Sequence, residues 1–110
     1  MKLKEIAAKL ELKSLTQKPA EGDVTGVYIS DMVSDVIANA KAGNVLVTIQ
    51  VHANVIAAAN LVDLCGIVVT QGKPIPEDVV KLAEKSNLGL YATNLNRWQV
   101  ATKLYEAGLR

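Results

Sequence analysis

The chain has 110 residues, the size of one domain, with 12 basic and 11 acidic side chains and a net charge of +1. That balance leaves no cationic excess to neutralise a phosphate backbone, which argues against a nucleic-acid partner. No apolar run approaches the roughly 20 residues of a membrane-spanning helix, and the single cysteine, Cys65, excludes an intrachain disulfide and a multi-cysteine metal site.

Residues 3–10 place Leu3, Ile6, Ala7 and Leu10 at helical spacing, with Lys4, Glu5 and Lys9 on the other face. Residues 12–16 read as a short strand. Lys18 to Gly22, with Pro19, reads as a loop. Residues 24–29 read as a strand with Gly26 inside it, a position that often marks a bulge or a close backbone approach. Ser30 and Asp31 are good N-cap types, and Met32, Val33, Val36, Ile37 and Ala40 then share one helix face, with Gly43 as the stop. From there the chain alternates. Strands are expected over 45–51, 66–70 and 89–93, and helices over 54–63, 77–85 and 97–107, the last stopped by Gly108.

A strand about every 20 residues with a helix between is the pattern of a parallel sheet with right-handed crossovers. The near-continuous apolar strands agree, because parallel strands are covered on both faces. The expected architecture is a single α/β domain, three-layer-like, with a mainly parallel sheet of about 4–5 strands and flanking helices. Residues 1–11 form an N-terminal helix and residues 12–110 the core. Half the residues are hydrophobic, yet there is no Phe, one Trp and three Tyr, so Val, Ile, Leu and Ala carry the packing. A small domain with this much apolar surface gains from a partner subunit, so a homodimer is expected. The N-terminus lacks the apolar run of a signal peptide, and the expected location is the cytoplasm.

In open α/β sheets ligands bind beyond the C-terminal ends of the strands. Three strand ends here carry similar neutral hydrogen-bonding groups: Gln50, His52 and Asn54 after the first, Thr70, Gln71 and Gly72 after the second, Thr93 and Asn94 after the third. Ser30 and Asp31 hold the equivalent place before the 32–41 helix. Each set adjoins a helix N-terminus, where backbone N–H groups favour a small polar or phosphorylated ligand. Plain capping explains Asn54, Asn94 and Asn96 equally well, but Gln50 is harder to dismiss, because it is polar inside an apolar strand and just before a turn. His52 is the one histidine, and an enzyme using it with Asp31 or Asp35 ranks lowest, because no third group near it in sequence builds a metal or catalytic cluster. No catalytic residue, metal ligand or cofactor is assigned. The chain contains none of the glycine-rich phosphate or dinucleotide motifs, nor a nucleophile elbow.

The runs 24–40 (VTGVYISDMVSDVIANA), 47–55 (VTIQVHANV) and 67–76 (IVVTQGKPIP), with Lys103-Leu104-Tyr105 in the closing helix, resemble the DRTGG domain family over residues 12–110. Members are α/β modules joined to phosphotransacetylases, set beside CBS domains in some inorganic pyrophosphatases, or found alone. They are similar to the N-terminal domain of HPr kinase/phosphorylase. The resemblance implies a regulatory, commonly dimeric accessory domain without established catalytic residues, and a kinase label on such a chain would come from a catalytic domain absent here. The pentapeptide that names the family is missing. The aligned region reads Gln50-Val51-His52-Ala53-Asn54, so an anion role tied to that motif's arginine does not carry over. Gln71-Gly72 stands where many relatives carry a glycine pair. Two readings remain open: a dimeric regulatory module binding a small polar or nucleotide-like ligand, and a protein-interaction domain with no small ligand.

Overall fold

A computed structural model describes residues 1–16 and 22–109. The elements run α1 (Leu3–Lys9), β1 (Lys13–Ser14), β2 (Gly26–Ile29), α2 (Val33–Asn39), β3 (Asn44–Thr48), α3 (Ala53–Val62), β4 (Gly66–Val69), α4 (Glu77–Lys85), β5 (Gly89–Ala92) and α5 (Arg97–Glu106). The strands form one sheet in the order β1-β5-β4-β3-β2. Strands β2 to β5 are parallel, and β1 joins β5 antiparallel through Lys13–Ala92 and Ser14–Tyr91. The expected α/β fold with a mainly parallel sheet is therefore the observed one.

Because each right-handed crossover steps one strand in the same direction, the three crossover helices α2, α3 and α4 collect on one face. Their Val36, Ile56 and Ala83 pack on Leu46, Ile67 and Leu90 of the sheet. Helices α1 and α5 cover the other face, where Leu3, Ile6, Val100 and Leu104 meet Val45, Val47, Val68 and Tyr91. Successive strand residues thus feed two cores, and every residue of β3 is buried. Each fully buried aliphatic side chain contributes about 1.5–3 kcal/mol relative to exposure. Helix α1 lies close to the sheet because β4 opens with Gly66: a Cβ there would stand 2.5 Å from Leu3 Cδ2.

Several boundaries differ from the sequence reading. The 12–16 strand shrinks to two residues. Gly26 opens β2 and does not interrupt it. The 32–41 helix contracts to Val33–Asn39, because Ala40 is already extended (φ −69°, ψ 153°). Gly43 is not its C-cap. Its φ is +83°, and a Cβ on it would come within 2.7 Å of the Thr25 side chain. The loop expected over residues 18–22 lies mostly outside the described residues. None of the described helices is long and apolar enough to cross a membrane.

Candidate functional site

All four parallel strands point their C-terminal ends to one edge of the sheet, and the loops there form two distinct arrangements. The first is a closed polar network. Asp31, between β2 and α2, turns its carboxylate across to the end of β3. Its Oδ1 accepts from Thr48 Oγ1 at 3.0 Å and from the Ile49 N–H at 2.8 Å. Its Oδ2 pairs with the Arg97 guanidinium at the start of α5. Gln50 completes the tie: its Nε2 donates to the Asp31 carbonyl at 2.9 Å, and its own N–H donates to Thr48 Oγ1 at 3.1 Å. Asp31 is therefore not the N-cap of α2; Met32 occupies that place. Asp31 and Asp35 have separate partners, since Asp35 accepts from Tyr28 Oη and Asn39 Nδ2, each at 2.8 Å. Hydrogen bonds from Ser30, Tyr28 and Asn39 hold the Asp35 carboxyl below the usual carboxylate range, and the same contact raises the Tyr28 phenol.

Arg97 escapes the sequence reading because it is one of several charged residues on a helix face. Its position is set by the capping box before it. Asn96 Oδ1 accepts from the Gln99 N–H at 2.8 Å, and Gln99 Oε1 accepts from the Asn96 N–H at 2.9 Å. That start point brings Arg97 over the β2–α2 turn.

The other strand-end groups mostly serve the backbone. His52 is the N-cap of α3, its Nδ1 accepting from the Asn54 N–H at 3.2 Å, while both side chains face solvent. Ser30 Oγ accepts from the Met32 N–H. Thr70 is fully buried and donates to the Thr48 carbonyl. Thr93 Oγ1 accepts from the Leu95 N–H. Gln71 and Gly72 form a left-handed pair, each with φ of 64°. Their N–H groups bond to the Leu95 and Thr93 carbonyls, clamping the β4–α4 loop to the β5–α5 loop. The Gln50 side-chain amide and the Gln71 and Gly72 N–H groups are thus engaged internally.

The second arrangement is an open cleft of about 660 Å³ at the end of β5, roofed by the C-terminal turn of α1. Gly72, Thr93 and Asn94 line it, the three of the ten expected residues that do. Four lysines converge on it: Lys9 from α1, Lys13 from β1, Lys73 from the β4–α4 loop and Lys103 from α5. Glu11 is the one carboxylate among its described lining residues, leaving a local charge of +3 from four cations and one anion. No sequence signal gathers lysines at positions 9, 13, 73 and 103. They meet because α1 and α5 share one face of the sheet.

Among the described residues no group of three or more His, Cys, Asp or Glu stands close enough to hold a metal ion. Cys65 is half-buried with its Sγ 3.5 Å from the Gly22 carbonyl, and burial, then the Asp23 charge, push its thiol up.

The model of the DRTGG domain family matches residues 5–107, so the match takes in most of α1 as well as the sheet. No curated protein matches the chain in sequence. Among solved structures, it is similar to the CBS and DRTGG domains of the regulatory region of Clostridium perfringens pyrophosphatase, complexed with its activator, diadenosine tetraphosphate. The likeness has a TM-score of 0.74 at 16% identity, covering 94% of this chain and 45% of that one. At that identity it speaks for the fold, and this chain spans less than half of that structure's length.

Proposed function

The chain belongs to the DRTGG domain family, and on that premise we propose that it is a regulatory module that binds a small phosphorylated anion in the lysine cleft at the end of β5. The carrying observation is the convergence of Lys9, Lys13, Lys73 and Lys103 from four separate elements. A chain whose net charge is only +1 gathers a local charge of +3 at one strand-end cleft, where ligands of α/β sheets bind. The volume lies within the range of small-molecule sites, about 300–1,000 Å³. The activator bound by the pyrophosphatase region is itself a polyphosphate, which is chemistry of the same sign. Anion binding would clamp α1, the β4–α4 loop and α5 together, giving the ligand a mechanical effect on the domain.

The test is calorimetric titration with inorganic tripolyphosphate at low and high salt. Saturable binding that weakens with salt and is lost in a Lys9→Ala, Lys103→Ala double variant supports the reading. A flat titration of the folded wild-type chain at low salt overturns it.

A second observation favours self-association. Strand β2 lies at the sheet edge and pairs with β3 alone. The Ser30 N–H bonds to the Val47 carbonyl, so the two-residue alternation turns the backbone groups of Val27 and Ile29 outward. The residues of β2 itself include no lysine or proline, and Ile29 at its end and Met32 just after it are exposed. Pairing of β2 with β2 of a second copy would give the symmetric contact of a twofold dimer. Sedimentation of the wild type and of Ile29→Lys tests it; a monomeric wild type at high micromolar concentration removes the dimer.

A further inference from the structure

Helix α1 closes in a Schellman motif. The Leu12 N–H bonds to the Ala7 carbonyl at 2.9 Å, and the Glu11 N–H to the Ala8 carbonyl at 3.3 Å. Glu11 therefore takes the left-handed position of the motif, with φ of 55°. Glycine or asparagine is the usual occupant, because a side chain is disfavoured at positive φ. A carboxylate suits the place poorly for a second reason: the last turn of a helix is the negative end of its dipole. No described contact offsets these two costs. The Glu11 side chain is exposed, and among the described residues it forms no ion pair. A residue that breaks two local rules without a structural return points to function.

Glu11 lines the lysine cleft. Lys9, Lys13, Lys73 and Lys103 line it too, and among the described residues none of the four is in an ion pair either. A carboxylate placed to neutralise a lysine would sit against it. Standing apart, Glu11 repels a fully ionised anion that the lysines draw in. It attracts an anion that still carries a hydrogen, because a carboxylate only accepts and a protonated phosphate oxygen donates. Phosphoryl groups have a second pKa of about 6, so they keep such a hydrogen near neutral pH. Sulfate is wholly ionised there and offers acceptors alone. A metal ion bridging carboxylate and phosphate is the other way to reconcile the two, but four ammonium groups disfavour a further cation.

We propose that Glu11 is a specificity-determining residue of the cleft: it accepts the hydrogen of a terminal phosphate group and excludes sulfate and other anions without one. The proposal rests on the anion reading of the lysine cleft and narrows its ligand to one bearing an ionisable terminal phosphate.

The experiment titrates tripolyphosphate into the full chain by calorimetry, with inorganic phosphate or sulfate as competitor at fixed ionic strength, in wild type, Glu11→Gln and Glu11→Gly. At about pH 6 phosphate carries less charge than sulfate, so charge attraction alone favours sulfate. The wild type should instead prefer phosphate roughly three- to tenfold, the range of one hydrogen bond. Glu11→Gln, whose amide can also donate, should take sulfate at least as well as phosphate. Glu11→Gly should lose the preference too, and should melt above the wild type because glycine suits the left-handed position. Both variants should bind tripolyphosphate as tightly as the wild type or more tightly. A wild type that takes sulfate as well as phosphate, takes neither, or takes phosphate only with added magnesium overturns the role of Glu11 and leaves the anion cleft standing. So does a preference that survives in Glu11→Gln, or a Glu11→Gly variant that melts below the wild type. Failure of tripolyphosphate itself to bind removes the cleft reading and this one with it.

Discussion

Arg97 and Asp31 join the first turn of α5 to the β2–α2 turn through a guanidinium–carboxylate contact across the top of the sheet. The pair is unequal in weight. Arg97 is 42% exposed and Asp31 26%, so water screens the charge attraction, and such pairs contribute about 0–1 kcal/mol. The other carboxylate oxygen matters more, because it satisfies the Thr48 hydroxyl and the Ile49 N–H. Asp31→Ala should cost about 1–3 kcal/mol in urea unfolding, the penalty for leaving such groups unpaired. Arg97→Ala should cost under about 1 kcal/mol. Equal losses in the two variants would mean that the ion pair, not the hydrogen bonding, holds the turn.

The Tyr28–Asp35 contact gives stability a dependence on pH at both ends. Asp35 has a folded-state pKa below its unfolded value, so its contribution is complete above the unfolded value, about 3.9, and is lost as pH falls through the folded value. Tyr28 has a raised folded-state pKa, so its contribution is complete below about 10 and is lost as pH rises through the folded value. The gap in melting temperature between wild type and Tyr28→Phe should therefore be widest across the neutral range and narrow at both extremes. A gap independent of pH would show that the hydroxyl contributes through packing alone.

The thiol of Cys65 should react slowly. Burial and the nearby Asp23 carboxylate both disfavour the thiolate, which is the reactive form. At pH 8 the native chain should be modified by a disulfide reagent at least several-fold more slowly than free cysteine, and urea should abolish the difference. A native rate at or above that of free cysteine would show local opening around Gly22, whose carbonyl faces the sulfur.

The parallel sheet was legible because repetition encodes it: the mainly apolar runs at 45–51, 66–70 and 89–93 lie about 20 residues apart, and helical periodicity fills each gap. Element ends were less legible. Ala40 continues the apolar face of α2 in sequence, yet the chain leaves the helix there to reach Asn44 at the foot of β3. The polar network was half legible. Gln50 stood out as polar beside an apolar strand, but its partner Asp31 resembled an ordinary cap, and Arg97 had no local signature. The lysine cleft was not legible, because Lys9 and Lys103 lie 94 positions apart and meet through the docking of α1 beside α5. Total charge concealed it, since acidic residues elsewhere balance the sum.

Gly72 is the sharpest local constraint at the cleft. Its φ of +64° lies in the left-handed region, and a Cβ there would stand 2.8 Å from Asn94 Oδ1. Two costs therefore add on substitution. The left-handed backbone costs a residue with a Cβ about 1–2 kcal/mol, and the contact forces Asn94 to move. Gly72→Ala should lower stability by about 1–2 kcal/mol or slightly more, and it should weaken tripolyphosphate binding because the two loops carrying Lys73 and Asn94 are displaced. Asn94→Gly in the same chain removes the steric part and leaves the backbone part. The double variant should then recover some stability over Gly72→Ala without reaching the wild type, as read from denaturant midpoints. Full recovery would show that backbone strain is negligible there. No recovery would show that Asn94 already yields without cost.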